Sequence, residues 1–107
     1  MAVSRILLTG GRGYIGSYVY AALIAMGIEV VSLVRAGSTC DSTNEVPAAD
    51  DPYVLVDQIV NMEPTCVIHL ATRFSRSNSP RNLPALVADN VQLGSAILAA
   101  AVFSIMP

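Results

Sequence analysis

The sequence predicts an α/β fold in which helices flank a parallel β-sheet, and two patterns support this. Near-continuous apolar runs, typical of strands buried on both faces of a parallel sheet, occur at Val3–Thr9, Ile28–Val34 and Cys66–Ala71. Segments between these runs carry apolar residues at the three- and four-residue spacing of helices. The 107 residues leave room for one domain, at the small end of the usual range.

The first three elements form a βαβ unit. The strand Val3–Thr9 ends at a glycine-rich turn, after which Tyr14–Met26 has the pattern of an amphipathic helix. Gly27 stands at the position that ends such a helix. The second strand follows at once, and two parallel strands joined by a helix are expected to cross over with a right hand.

The middle of the chain predicts one weak element and one strong one. Ala36–Asp50 is rich in Ser, Thr, Asn, Asp and Gly, and a short third strand is expected near Glu45–Ala48. Pro52–Met62 has helical spacing, with Asp51 available as the N-cap.

The last third predicts a strand, a polar loop and a long helix. Cys66–Ala71 is expected at the edge of the sheet, and Thr72–Pro84 is the loop. The final helix is predicted over Pro84–Phe103, with one apolar stripe. The stripe consists of Leu86, Val87, Val91, Ile97, Leu98 and Ala101.

Composition and charge exclude several functions. The net charge of −2 and the pI near 5.0 provide no field that would attract nucleic acid or an anionic membrane. Gly27 and Glu29 interrupt the one apolar window, Tyr18–Val34, that resembles a membrane span. Cys40 and Cys66 are too few for a zinc site, so no metal is expected, and they predict reduced thiols in a cytoplasmic protein.

The glycine turn predicts a site for a dinucleotide. It satisfies G-x-G-x-x-G from Gly11 and G-x-x-G-x-x-G from Gly10, and it lies between a predicted strand and a predicted helix. Gly10 permits the sharp turn, Gly13 lets the backbone approach a pyrophosphate, and Gly16 allows close packing of the helix. We therefore expect Arg12–Ser17 to hold the pyrophosphate of NAD or NADP. The alternative is a glycine-rich turn that binds nothing.

Three segments resemble the extended short-chain dehydrogenases, the NAD-dependent epimerase/dehydratase group that acts on nucleotide sugars. Thr9–Gly16 resembles its TGxxGxxG signature, and Val67–Ala71 resembles its fourth strand. Asn90, Gly94–Ser95 and Leu98–Ala100 resemble its Nxx(x)GTxxLLEA helix. The resemblance covers the whole chain but only about the first third of a family member. It implies a partial NAD(P)-binding domain over residues 1–107, with a Rossmann-type parallel sheet truncated after about four strands.

The resemblance also implies which residues contact the cofactor. The residues expected around the pyrophosphate are Gly10, Gly13, Tyr14, Ile15 and Gly16. Those expected on the ribose and nicotinamide side are Leu70, Ala71 and Thr72, and Asn90 matches a family asparagine near the cofactor. Independently, the polar Asn90 lies along the apolar stripe and needs a partner, which is either the cofactor or nearby backbone.

Arg35 bears on the choice between NAD and NADP. It lies nineteen residues after Gly16, where a carboxylate would accept the ribose 2′-hydroxyl of NAD. An arginine there can pair with the 2′-phosphate of NADP, with Ser38 as a second donor, so NADP is mildly favoured. The alternative is a solvated surface arginine. The family's third-strand acid near adenine has no clear match; Asp50 and Asp51 are the nearest substitutes.

Catalytic residues are not expected in this chain. The family reaction needs a Tyr-x-x-x-Lys pair, and the sequence contains no lysine. His69 is interpreted as a buried, hydrogen-bonded core residue. The loop arginines Arg73, Arg76 and Arg81 either meet a substrate phosphate or form a solvated face.

Two functional hypotheses remain open at the level of the sequence. The chain is either the cofactor-binding portion of a nucleotide-sugar epimerase, dehydratase or reductase, or a non-catalytic module that senses NAD(P) or completes a partner chain. A homo-oligomer is expected, because Cys66–Ala71 is an apolar edge strand and Ala96–Phe103 is uninterrupted apolar sequence. The resemblance implies one way of covering this helix, since the final helix of the family commonly lies in a four-helix dimer interface.

Overall fold

Four parallel strands form one sheet in the computed structural model, which describes residues 5–40, 44–71 and 80–105. The strands are β1 (Arg5–Thr9), β2 (Glu29–Val34), β3 (Glu45–Pro47) and β4 (Cys66–His69). Their spatial order is β3-β2-β1-β4, and each neighbouring pair is parallel. The predicted α/β class with a Rossmann-type parallel sheet is confirmed.

The helices follow the predicted order, with one change near the end of the chain. Helix α1 spans Tyr14–Ala25, and Gly27 beyond it has a φ of +76°. Helix α2 spans Pro52–Met62, as predicted, and Asp51 caps it. Helices α3 (Leu83–Val87) and α4 (Leu93–Ile105) occupy the region predicted as one helix.

The final helix is interrupted, which corrects the prediction of one continuous helix over Pro84–Phe103. A π-helical turn at Ala88–Gln92 separates α3 from α4. Such a turn inserts an extra residue into the helical repeat, so apolar positions before and after it no longer share one stripe. Of the predicted stripe, Ile97 is buried, but Val87, Val91 and Leu98 are exposed. Ala96 and Ala100, which were not predicted on it, are buried.

The main core lies on the face of the sheet that α2 and α4 cover. Leu7 and Leu33 of the central strands pack there against side chains of both helices. The helix residues in this core are Leu55 and Ile59 of α2, and Ala96, Ile97 and Ala100 of α4. Burial of these side chains is the largest identifiable stabilising term on this face.

Helix α1 contacts β1 and β2 from the opposite side of the sheet. Strand residues alternate between the two faces, so Leu8 and Val30, both buried, belong to the α1 side. The helix itself is apolar on nearly every side: Val19 is half-buried, but Ile15 and Met26 are exposed. The sequence pattern predicts an apolar face made of Ile15, Val19, Ala22, Leu23 and Met26. This prediction is wrong at Ile15, Ala22 and Met26, which are exposed, whereas Val19 and Leu23 are half-buried.

Two further findings concern the described residues only. No helix among them is both long enough and apolar enough to cross a membrane. Cys40 and Cys66 are free thiols.

Candidate cofactor site

The strand order predicts a crevice at one end of the sheet. From β1 the chain passes to β2 and β3 on one side, and it then returns to place β4 on the other side of β1. Connections that leave neighbouring strands in opposite directions open a gap beyond the carboxyl ends of those strands, and open α/β sheets bind ligands in that gap. Thr9–Gly10 and His69–Ala71 are the two chain segments that meet there.

Gly10 permits the close approach of these two segments. Its φ is +78°, and a Cβ built on it would lie 2.7 Å from the backbone nitrogen of Ala71 and 2.7 Å from the carbonyl carbon of Leu70. Any side chain would thus displace backbone atoms, besides the strain of a positive φ. The structure brings three of the predicted site residues together at this point.

Gly16 and Gly13 shape the rest of the turn. A Cβ on the buried Gly16 would overlap the carbonyl oxygen of Gly10, so Gly16 allows α1 to approach the turn itself. Gly13 donates its N–H to the same oxygen at 3.0 Å, and its own added Cβ would lie 3.3 Å from it. Apart from its two chain neighbours, no other heavy atom of the described residues lies within 4 Å of that Cβ, so the outer side of Gly13 is open.

The N-terminus of α1 has the features of an anion site. Gly13 is its N-cap and offers no side chain to the first amides, and no acidic residue lies in the first turn. Tyr14 and Ile15 are 82% and 66% exposed. The amides and the positive end of the helix dipole therefore have no carboxylate from their own helix turn, and a bound phosphate can take that place.

Thr9 connects the two sides of the crevice, and the sequence analysis assigned it no role of its own. It is fully buried, and its hydroxyl accepts N–H bonds from Leu70 and Ala71, both at 3.1 Å. The same hydroxyl bonds to Nδ1 of His69. Sequence periodicity gave no signal for this role, since Thr9 reads as one more buried strand residue.

His69 is hydrogen-bonded, as expected, but it is not the buried core residue that was predicted. Its side chain lies at the exposed end of β4, and Nε2 lies 3.6 Å from the position of a Cβ on Gly94. Desolvation lowers the pKa of His69 below its ordinary value of 6.5. The oxygen of the Thr9 hydroxyl accepts two amide N–H groups, which leaves its own proton to be donated to Nδ1 of His69. A ring nitrogen that accepts carries no proton, so this arrangement favours the neutral ring protonated at Nε2.

Asn90 lines a groove whose lining includes no residue of the glycine turn. It belongs to the π-helical turn and lines a groove of about 780 Å³ between β4 and α4, together with His69 and Gly94. The side chain of Asn90 is exposed. Thr72, Arg73 and Arg76 lie outside the described residues.

Arg35 follows β2 immediately and is exposed. Its carbonyl oxygen accepts the N–H of Ser38 at 3.0 Å, and Gly37 between them has a φ of +79°. Arg35 and Ser38 thus belong to one tight turn at the carboxyl end of β2, the end at which the glycine turn also lies.

Comparison with known proteins identifies the family. The model of the NAD dependent epimerase/dehydratase family matches residues 6–104, and the chain therefore belongs to this family. A search of the curated proteins gave no match.

Solved structures with similar folds include three that are more than a quarter identical to this chain over the matched region. A short-chain dehydrogenase/reductase superfamily protein from Agrobacterium tumefaciens with bound NAD is 31% identical, with a TM-score of 0.72, over 94% of this chain. MoeE5 in complex with UDP-glucose and NAD is 28% identical, with a TM-score of 0.71, over 94%. UDP-glucose 4-epimerase from Thermus thermophilus in complex with NAD is 28% identical, with a TM-score of 0.68, over 90%.

The chain spans about a third of the length of these proteins. The matched share is 29% of the first and 33% of each of the other two.

Proposed function

We propose that this chain binds NAD(P) in the crevice between β1 and β4 and forms the cofactor-binding portion of a nucleotide-sugar epimerase, dehydratase or reductase. The observation that carries the proposal is the glycine turn, in which Gly10 and Gly16 bring backbone into close contact while Gly13 stays open. The pyrophosphate lies against Gly13 and the first amides of α1.

The other side of the crevice holds the ribose and nicotinamide. The backbone of Leu70 and Ala71 is fixed beside Gly10 by hydrogen bonds to Thr9, so backbone atoms border the space next to the turn. Thr72 and Asn90 are proposed as further contacts on the same side. Asn90 reaches the cofactor from the groove that also contains His69.

The reaction of the proposed parent enzymes is hydride transfer to and from the nicotinamide ring, which the cofactor supplies. This chain contributes binding and orientation. Its sequence contains no lysine, so none of its tyrosines has the lysine partner of a Tyr-x-x-x-Lys pair. A nucleotide sugar is the proposed substrate class, supported by family membership and by the UDP-glucose in the MoeE5 complex.

Titration of the chain with NAD, NADH, NADP and NADPH by calorimetry tests the proposal. Wild type should bind at least one of them, and Gly13→Val should remove binding because the added side chain occupies the position of the pyrophosphate. Gly27→Asn, at the opposite end of α1, is the matched control. Asparagine tolerates a positive φ, and among the described residues a Cβ there meets no heavy atom within 4 Å beyond its chain neighbours. Unchanged binding by Gly13→Val would contradict the assignment.

The same titration tests the choice of cofactor. We propose that NADP(H) binds at least as tightly as NAD(H), because Arg35 stands at the end of β2 in place of an acid that would select the 2′-hydroxyl. Arg35→Asp should reverse the order. A wild-type preference for NAD of about tenfold, roughly 1.4 kcal/mol, would show that Arg35 does not contact the phosphate.

We also propose that the chain self-associates. Strand β4 is an edge of the described sheet, and α4 exposes Leu98 and Val102. Burying such apolar surface at roughly 25 cal/mol per Å² is favourable beside the small net stability of a short domain. Sedimentation velocity over about a hundredfold dilution should show a concentration-dependent coefficient. A constant monomer value would contradict the proposal.

A further inference from the structure

The arginine inside the glycine turn makes a bidentate ion pair with the first residue of β3. Nε of Arg12 lies 2.8 Å from Oε2 of Glu45, and its Nη2 lies 3.1 Å from Oε1. The Glu45 side chain is only 17% exposed and that of Arg12 is 48% exposed. Two parallel N–H bonds to one carboxylate hold the guanidinium in a fixed orientation.

Arg12 also bonds to a third segment. Its Nη2 donates to the carbonyl oxygen of Thr39 at 2.7 Å, and Thr39 follows the turn that contains Arg35 and Ser38. We call Arg12, Thr39 and Glu45 the Arg12 bridge. The bridge links the glycine turn to the segment after β2 and to the start of β3, which lie 27 and 33 residues after Arg12 along the chain.

We propose that Arg12 is a positioning residue that fixes the adenosine end of the crevice, an inference that rests on the proposed function. Its bonds to Glu45 and Thr39 fix the distance between the glycine turn and the segment after β2. The adenosine ribose spans this distance, because the pyrophosphate lies at the turn and the 2′-position lies at the end of β2.

A positioning role suits the bridge better than direct phosphate contact. The charge of Arg12 is balanced by Glu45 at hydrogen-bond distance, and the N–H groups of its Nε and Nη2 point to protein oxygens. A cationic side chain that contacts the 2′-phosphate directly would bind NADP more tightly than NAD. A residue that only fixes the ribose span should affect NAD, NADP and ADP equally.

The chain provides a matched control. Arg5 and Glu29 form a second ion pair, with 3.0 Å between Nη2 and Oε1, at the amino ends of β1 and β2 and so at the opposite end of the sheet. Glu29→Gln removes the charge of that pair in the same way that Glu45→Gln removes the charge of the Arg12–Glu45 pair.

The experiment compares Arg12→Ala, Glu45→Gln and the double variant with wild type in titrations with NAD, NADP and ADP. Each single variant should weaken all three ligands by the same factor, roughly three- to tenfold, and the double variant should be no weaker than Arg12→Ala. Glu29→Gln should bind as wild type does. Tighter binding by Glu45→Gln, or a loss confined to NADP in Arg12→Ala, would overturn the proposal, because either result means direct phosphate contact.

Amide hydrogen exchange of the ligand-free protein gives an independent measurement. The amides of Gly13 and Ser38 donate within the two segments that the bridge joins. Both should exchange faster in Arg12→Ala than in wild type, and Glu29→Gln should leave them unchanged. If wild type binds no dinucleotide, the proposed function is contradicted. The exchange rates still test whether Arg12 fixes the two segments, because they are measured without ligand. Unchanged exchange in Arg12→Ala would overturn the bridge.

Discussion

Helices α1 and α2 both begin with backbone in extended conformation at the N-cap, but their N-termini differ in chemistry. Helix α2 is closed by Asp51, whose carboxylate accepts the amides of Tyr53 and Val54 and is followed by Pro52 at the first helical position. Helix α1 has Gly13 as N-cap and no side-chain acceptor. The first amides of α2 thus find a hydrogen-bond acceptor within the chain, whereas the first amides of α1 can donate to an external anion.

The third helical residue shows the same difference. In α1 this residue is Gly16, buried against the turn, and in α2 it is Val54, which is exposed. The first turn of α1 is thus built around close backbone contact, and that of α2 around a local cap.

The largest effect is expected from Gly16→Ala. The new methyl group would overlap the Gly10 carbonyl oxygen, and backbone cannot move away as a flexible side chain can. We expect a loss of about 3 kcal/mol or more in the free energy of unfolding, measured by urea denaturation. Val54→Ala, at the matching position of α2, should change stability by about 1 kcal/mol or less. Equal urea midpoints for Gly16→Ala and wild type would show that α1 can retreat from the turn.

Giving α1 an aspartate N-cap like that of α2 should abolish dinucleotide binding at α1. In Gly13→Asp the new carboxylate can accept the first amides of α1 and repel the pyrophosphate, so dinucleotide affinity should fall by about a hundredfold, roughly 2.8 kcal/mol. Gly13→Asn offers a similar cap without charge and should lose less. Calorimetric titration of both variants decides this, and tight binding by Gly13→Asp would refute an anion site at α1.

Removing the cap of α2 should affect only stability. Asp51→Ala leaves the amides of Tyr53 and Val54 without their carboxylate and should cost about 1 kcal/mol, with a Tm lower by about 4–8 °C. Dinucleotide affinity should stay at the wild-type value. A parallel loss of affinity would mean that the two N-termini are coupled.

The smallest effect concerns the pH dependence of stability through His69, on the far side of the crevice from α1. Because desolvation lowers the pKa of His69 in the folded chain, its stabilising contribution is complete above about pH 6.5. It is lost as the pH falls from there through the folded pKa. Unfolding curves between about pH 7 and pH 5 should show a shallower decline for His69→Gln than for wild type. Identical slopes would contradict a neutral His69.

The local sequence pattern was sufficient to predict the glycine turn and the positions of most helices and strands. The bounds of α2 were predicted to the residue, since Asp51, Pro52 and the apolar spacing all lie within one short segment. The glycine turn was identified because its spacing reports backbone geometry directly. The interruption at Ala88–Gln92 was not predicted, because the residues there have an ordinary helical pattern and the change appears only in the backbone.

The sequence alone determined the order of the elements, the turn at Gly10–Gly16 and the absence of lysine, because these depend on neighbouring residues or on composition. Only the tertiary structure decided which distant groups meet. Thr9 finds the amides of Leu70 and Ala71 some sixty residues away, and Arg12 finds Glu45 on β3. The physical reason is the strand order: the sheet places β4 beside β1 and β3 beyond β2, and no local spacing encodes which strands become neighbours.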